Sequence, residues 1–100
     1  MLLSGSADST VKVWDVTTQN CMHTFNHHKD KVQAVAWNPA EGTIFASAGF
    51  DKQVAIIDAR QPEAVVGFPL SADVECLVWN PLNPAAIAVC SSHLIVVLGY

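Results

Sequence analysis

Ser47, His28 and Asp51 supply, by residue type, the nucleophile, base and orienting acid of an acyl-transferring hydrolase. That chemistry needs an exposed hydroxyl beside donors able to hold an oxyanion, and a serine inside the apolar run from Ile44 to Ala48 has neither. The three read as structural residues. Cys21, His23, His27 and His28 bring zinc-ligand types together within a short stretch. An extended chain puts Cys21 and His23 on one face, no second ligand pair occurs elsewhere, and CxxC spacing is absent, so no metal and no other cofactor is expected. The carboxylates of Asp30, Glu41, Glu63, Asp73 and Glu75 are scattered over turns and strand starts, with nothing to set one acid against another. They read as solvated surface, and no enzyme is expected.

The elements that must position these residues form a repeat. Ser4-Gly5-Ser6-Ala7-Asp8 followed by Val11-Lys12-Val13-Trp14-Asp15 returns, 43 residues on, as Ser47-Ala48-Gly49-Phe50-Asp51 followed by Val54-Ala55-Ile56-Ile57-Asp58. Trp37-Asn38-Pro39 returns as Trp79-Asn80-Pro81, and Val32 as Val74, at a shift of 42. A period of roughly 40 to 45 residues, each unit closing on Trp-Asp or a close relative of it, is the signature of four-stranded propeller blades. In that arrangement each blade runs from an inner strand a to an outer strand d. Residues 1–26 read as strands b, c and d of a first blade, at Met1 to Ser6, Thr10 to Asp15 and Cys21 to Phe25. Residues 27–69 hold a whole blade, with strands at Val32 to Trp37, Ile44 to Ala48, Gln53 to Asp58 and Ala64 to Phe68. Residues 70–100 begin a third, with Val74 to Trp79, a turn over Pro81 to Pro84, then Ala85 to Cys90 and Leu94 to Leu98. No apolar stripe recurs at helical spacing between capping signals, so the fold class is all-β. The chain is expected to be a partial propeller of about two and a half blades. Propellers have about four to eight blades, and at least about three repeats are needed for a stable stack, so the remaining blades of a longer chain are the first partner expected. Alone, the segment is expected to aggregate or stay partly unfolded.

Bulk composition narrows the function classes. Of 100 residues, 51% are hydrophobic and 14% charged, which suits a well-buried β protein. A formal net charge of −4, with Lys12, Lys29, Lys31, Lys52 and Arg60 dispersed, leaves no broad basic surface for phosphates, and direct nucleic-acid binding is not expected. Cys21, Cys76 and Cys90 are odd in number, which fits small buried residues in a reducing compartment, cytosol or nucleus, better than a disulfide framework. Met1 is followed by Leu-Leu-Ser-Gly-Ser without a basic region or a cleavage pattern, so no signal peptide is expected. The apolar runs Ala85 to Cys90 and Leu94 to Leu98 are broken by Ser91-Ser92-His93 and fall short of the ~20 residues of a membrane helix.

The repeated Ser, Asp and Trp-Asp positions resemble the WD40 repeat family. Membership implies a hydrogen-bonded tetrad of His, Ser or Thr, Asp and Trp in a full repeat, linking otherwise unsatisfied buried polar groups. By that resemblance Ser4, Asp8 and Trp14 fill three positions in the first blade, and His28, Ser47 and Asp51 fill three in the second. There Ile57 replaces the Trp and His27 replaces the usual Gly before the His, so Ser47 is expected to lose a partner and the tetrad to shrink to a His28–Asp51 pair. In the third unit Leu70 stands at the His position, His93 at the Asp position and Gly99-Tyr100 at the close of strand c. The runs His28-Lys29-Asp30-Lys31-Val32-Gln33 and Phe50-Asp51-Lys52-Gln53-Val54-Ala55, with Asp58-Ala59-Arg60, are similar to the periodic tryptophan protein 1 family. That likeness implies a nuclear, largely nucleolar scaffold in ribosome biogenesis and rRNA processing, with protein partners in pre-ribosomal or chromatin-associated assemblies. Turns bearing Asp8, His27, Lys29, Lys31 and Lys52 are the candidate contact points. In some WD40 proteins a Trp-Asp-x-Arg strand end meets the adaptor of a cullin-4 ubiquitin ligase. Asp58 and Arg60 could serve in that way, although a local salt link between them is the favoured reading.

Overall fold

The computed structural model describes residues 1–61, 63–91 and 95–99. Expectations placed on Pro62, on Ser92 to Leu94 with His93, and on Tyr100 lie outside the described residues. Among the described residues, alternating apolar side chains and turn-forming Ser, Asp, Gly and Pro produce ten antiparallel strands. These are β1 (Leu2–Gly5), β2 (Val11–Asp15), β3 (Asn20–Phe25), β4 (Val32–Trp37), β5 (Ile44–Gly49), β6 (Gln53–Asp58), β7 (Val65–Pro69), β8 (Cys76–Asn80), β9 (Asn83–Cys90) and β10 (Ile95–Gly99). They form three up-and-down sheets, β1-β2-β3, β4-β5-β6-β7 and β8-β9-β10. The architecture is all-β, stacked sheets of a partial propeller, and among the described residues no helix is present.

The two inner strands of the middle sheet, β5 and β6, are buried on both faces, and their sequence shows why. Side chains alternate between faces along a strand. Phe45, Ala55 and Ile57 pack with Val11, Val13 and Phe25 of the first sheet, joined by Val32 of β4. Ala46, Ala48, Val54 and Ile56 pack the opposite way, against Leu77, Trp79, Ile87 and Val89 of the third sheet and Val74 just before it. Strands covered on both sides carry near-continuous apolar runs, as β5 and β6 do. Full burial of Phe45 and Ile57 stabilises by about 1.5–3 kcal/mol each. Phe45 also meets Phe25 and Trp37 edge-on, with ring centroids 5.3 and 5.7 Å apart.

Backbone groups stitch neighbouring sheets. The Val32 amide donates to the Ser6 carbonyl (3.0 Å), and the Val74 amide to that of Gly49 (3.1 Å). β8 starts at Cys76 and not at Val74 as the sequence suggested, its pairing with β9 opening at the Cys76–Cys90 pair. A Cβ on Gly49 would run into the Lys31 carbonyl oxygen, so this position needs glycine for close approach. Both repeats turn from their second to their third strand through a left-handed residue at the same place, Ser9 (φ 71°) and Lys52 (φ 62°). The turn expected over Pro81 to Pro84 is shorter, because Asn83 already pairs with Asn80 and only Pro81-Leu82 remain at the tip. Leu70 packs against the second apolar cluster, so the histidine position of the third unit is filled by core and not by a polar group.

The reading of the cysteines is overturned. Cys76 and Cys90 are joined in a disulfide, with Cα atoms 5.5 Å apart, because the β8–β9 register sets them directly opposite one another. Cys21 is free and exposed. None of the three is buried, and the count gives no support to a reducing compartment.

Candidate functional site

The first sheet places Ser4 in β1 and Trp14 in β2, and the indole Nε1–H donates to the Ser4 hydroxyl at 2.9 Å. Lys12 Nζ lies 5.9 Å from the centre of the Trp14 ring. Asp8 does not join this pair. It is exposed and closes its own turn, accepting from the Thr10 hydroxyl (2.6 Å) and amide (3.1 Å). The Thr10 hydroxyl is the main cause holding the Asp8 carboxyl below its ordinary range.

The second sheet repeats the register. Ser47 pairs with Ala55 as Ser4 pairs with Lys12, so Ile57 stands to Ser47 as Trp14 stands to Ser4. An isoleucine cannot donate, yet the Ser47 hydroxyl has two partners: His28 Nε2 at 2.7 Å and His27 Nε2 at 3.0 Å. His28 Nδ1 lies 2.8 Å from Asp51 Oδ2, which also accepts from the Lys29 amide at 3.2 Å. The expectation that Ser47 loses a partner is therefore corrected. The two departures from the repeat pattern, an apolar residue at 57 and an imidazole at 27, fall in one unit and offset each other. Their co-occurrence was the available signal.

His27, read from sequence as a partner-facing residue, is turned inward and half-buried, its ring 4.5 Å from that of His28 and edge-on to Phe25 at 6.3 Å. Burial, and then the neighbouring His28, push its pKa down to about 4, against a smaller opposing effect of Asp51.

Ser47, His28 and Asp51 thus have the distances of a hydrolytic triad. They lack its access: Ser47 is 0% and His28 4% exposed, and the serine oxygen is held between two imidazoles. No acyl group can approach it. What the arrangement does is tie the β3–β4 connection to β5 and to the β5–β6 turn.

Lys29, Lys31 and Lys52 are exposed around this buried network. Arg60 grips Asp58, with Nη2 to Oδ2 at 2.8 Å and Nε to the two oxygens at 3.1 and 3.2 Å, while 67% of its side chain stays exposed. This link holds the Asp58 carboxyl down to about 2. Cys21 Sγ lies 3.4 Å from the His23 carbonyl, and among the described residues no group of three or more His, Cys, Asp and Glu side chains is placed to hold a metal ion.

Stacked antiparallel sheets, tied at corresponding positions by a serine hydroxyl hydrogen-bonded to a ring nitrogen, define a blade-built propeller protein. The chain belongs to the WD40 repeat family: the family described as "WD domain, G-beta repeat" matches residues 1–15 and 19–58. It is similar to the WD-40 repeat-containing protein MSI3 of Arabidopsis thaliana, 34% identical over 97% of this chain and 24% of the relative. It is also similar to the methylosome protein WDR77 of Xenopus laevis, 34% identical over 79% of this chain and 25% of that protein. The chain spans about a quarter of the length of these relatives. Proteins of this family are generally non-catalytic scaffolds that bind other proteins in larger assemblies.

Proposed function

We propose that this chain is a segment of a propeller scaffold in a nuclear, largely nucleolar assembly for ribosome biogenesis and rRNA processing. Residues 1–26, 27–69 and 70–100 are its successive blade units, and it works by binding without chemistry or cofactor. One observation carries the reading. The two runs that set this chain apart from a generic repeat, His28 to Gln33 and Phe50 to Ala55, meet at a single edge, where the Phe50 amide donates to the Lys31 carbonyl (2.9 Å) and the Lys29 amide to Asp51. The buried network fixes the backbone there and leaves Lys29, Lys31 and Lys52 free to face a partner, as rigid scaffolds present loops. Three cations on one edge of a chain with net charge −4 suit an acidic protein surface. The relative named a methylosome protein supports membership of a protein assembly.

Affinity purification of the full-length protein tests this reading. Pre-ribosomal proteins are expected to accompany the wild type and to be lost when Lys29, Lys31 and Lys52 are all changed to Glu. Co-purification unchanged by those substitutions, or a ligase adaptor that disappears on Arg60→Ala, would overturn it. The geometry disfavours the adaptor reading, because Arg60 already spends Nε and Nη2 on Asp58.

A further inference from the structure

We propose that His27 replaces the missing indole as the donor end of a directed hydrogen-bond chain, and that this makes the clasp between the β3–β4 connection and β5 acid-labile. The direction follows from proton counting. A carboxylate only accepts, so His28 Nδ1 carries a proton toward Asp51 at 2.8 Å. In the form of His28 that carries this proton alone, Nε2 has a lone pair, and the one proton of the Ser47 hydroxyl points to it at 2.7 Å. Ser47 Oγ is left to accept, and the group that reaches it at 3.0 Å is His27 Nε2, which must therefore carry its proton. The chain reads His27 Nε2–H to Ser47 Oγ–H to His28 Nε2, and His28 Nδ1–H to Asp51. In the first sheet Trp14 donates to Ser4 in the same sense.

An indole N–H is permanent, but an imidazole N–H depends on pH. His27 Nδ1 is buried and has no hydrogen-bond partner among the described residues. A proton added there would sit unpaired beside His28. With a proton on His28 Nε2 as well, the Ser47 hydroxyl either turns its own proton toward His27, which moves the His27 proton to the unpaired Nδ1, or accepts from both rings and leaves its own proton without an acceptor. Either route leaves a buried donor unsatisfied, which is costly. The depressed value of about 4 for His27 agrees with this geometry. Other titratable groups near the ring are few: His28 and, through it, Asp51, with His23 and Glu63 lining the hollow of about 360 Å³ beside it and Lys29 on the same segment.

Unfolded chain takes up the His27 proton near the ordinary histidine value of about 6.5, whereas the folded cluster does so only near 4. Between these values the unfolded state binds more protons, so stability is complete above the upper value and falls as pH drops toward the lower. The segment released carries Lys29 and Lys31.

The test uses full-length protein labelled with ¹⁵N-histidine and compares wild type, His27→Gln and His27→Phe. At neutral pH the His27 proton is expected on Nε2 and the His28 proton on Nδ1. Between pH 6.5 and 4 the folding equilibrium of wild type is expected to weaken roughly tenfold to a hundredfold more than that of His27→Gln, which keeps an amide donor but cannot titrate. His27→Phe, which keeps a ring but no donor, is expected to be weaker already at neutral pH. A His27 proton on Nδ1 at neutral pH, or equal pH slopes for wild type and His27→Gln, overturns the proposal.

Discussion

Replacing Ser47 with Ala removes one oxygen and almost no volume, so its cost isolates the buried hydrogen bonds of the second sheet. Ser47 is fully buried, and its loss strands the ring nitrogens of two imidazoles, His28 Nε2 at 2.7 Å and His27 Nε2 at 3.0 Å. A buried polar group left without its partner costs about 1–3 kcal/mol. Two such groups, one of them on the half-buried His27, give about 2–4 kcal/mol. The matched change Ser4→Ala strands only the Trp14 indole, which is half-exposed and open to water, for about 1 kcal/mol or less. Urea unfolding of the two full-length variants, followed by hydrogen exchange at the amides of β5 and of β1, measures both. The expected result is a lower midpoint for Ser47→Ala with protection lost along the His28–Lys31 connection. Equal losses in the two variants, or a loss below about 0.5 kcal/mol for Ser47→Ala, would mean that the imidazoles find other partners and that the network contributes nothing beyond packing.

Three further outcomes are expected. Gly49→Ala drives a Cβ into the Lys31 carbonyl and should cost about 3 kcal/mol, read as a drop in melting temperature, whereas Gly42→Ala, with open space around it, should change little. Arg60→Ala should return the Asp58 carboxyl from about 2 toward its ordinary range, visible as a shift in the carboxyl ¹³C titration. The depressed value means that this link assists the fold above the ordinary carboxylate range and fades as pH falls toward 2; because the pair is exposed, stability at neutral pH should hardly move. Alkylation in non-reducing buffer should label Cys21 at once and leave Cys76 and Cys90 untouched until a thiol reductant is added, when the loss of a cross-link spanning 14 residues should weaken the third sheet by up to about 3 kcal/mol.

Strand positions were legible in the sequence because strand geometry is local. The alternation along Val32 to Trp37 and the return of Val11 to Asp15 as Val54 to Asp58 placed both strands, and the repeat of Ser4 by Ser47 announced that the hydroxyls would occupy equivalent places. Boundaries slipped in the third sheet, where the β8–β9 pairing, set by how the two strands dock, runs from Cys76 opposite Cys90 to Asn80 opposite Asn83.

By itself, then, the sequence determined the ten strands found among the described residues, their up-and-down order and the burial of β5 and β6 on both faces, since all of these depend on which side chains are apolar and where turns are tolerated. The tertiary structure alone decided which groups meet across sheets and connections. His27 reaches Ser47 across 20 residues, Cys76 faces Cys90 through the β8–β9 register, and the Trp79 indole, although its motif matches that of Trp37, donates to the Ala36 carbonyl of the neighbouring sheet at 3.1 Å. The physical reason is one of range. Propensity and periodicity act over a few residues, whereas a hydrogen bond at 3 Å depends on how two independently formed elements dock, and a shift of one side chain is enough to exchange an indole for an imidazole as its donor.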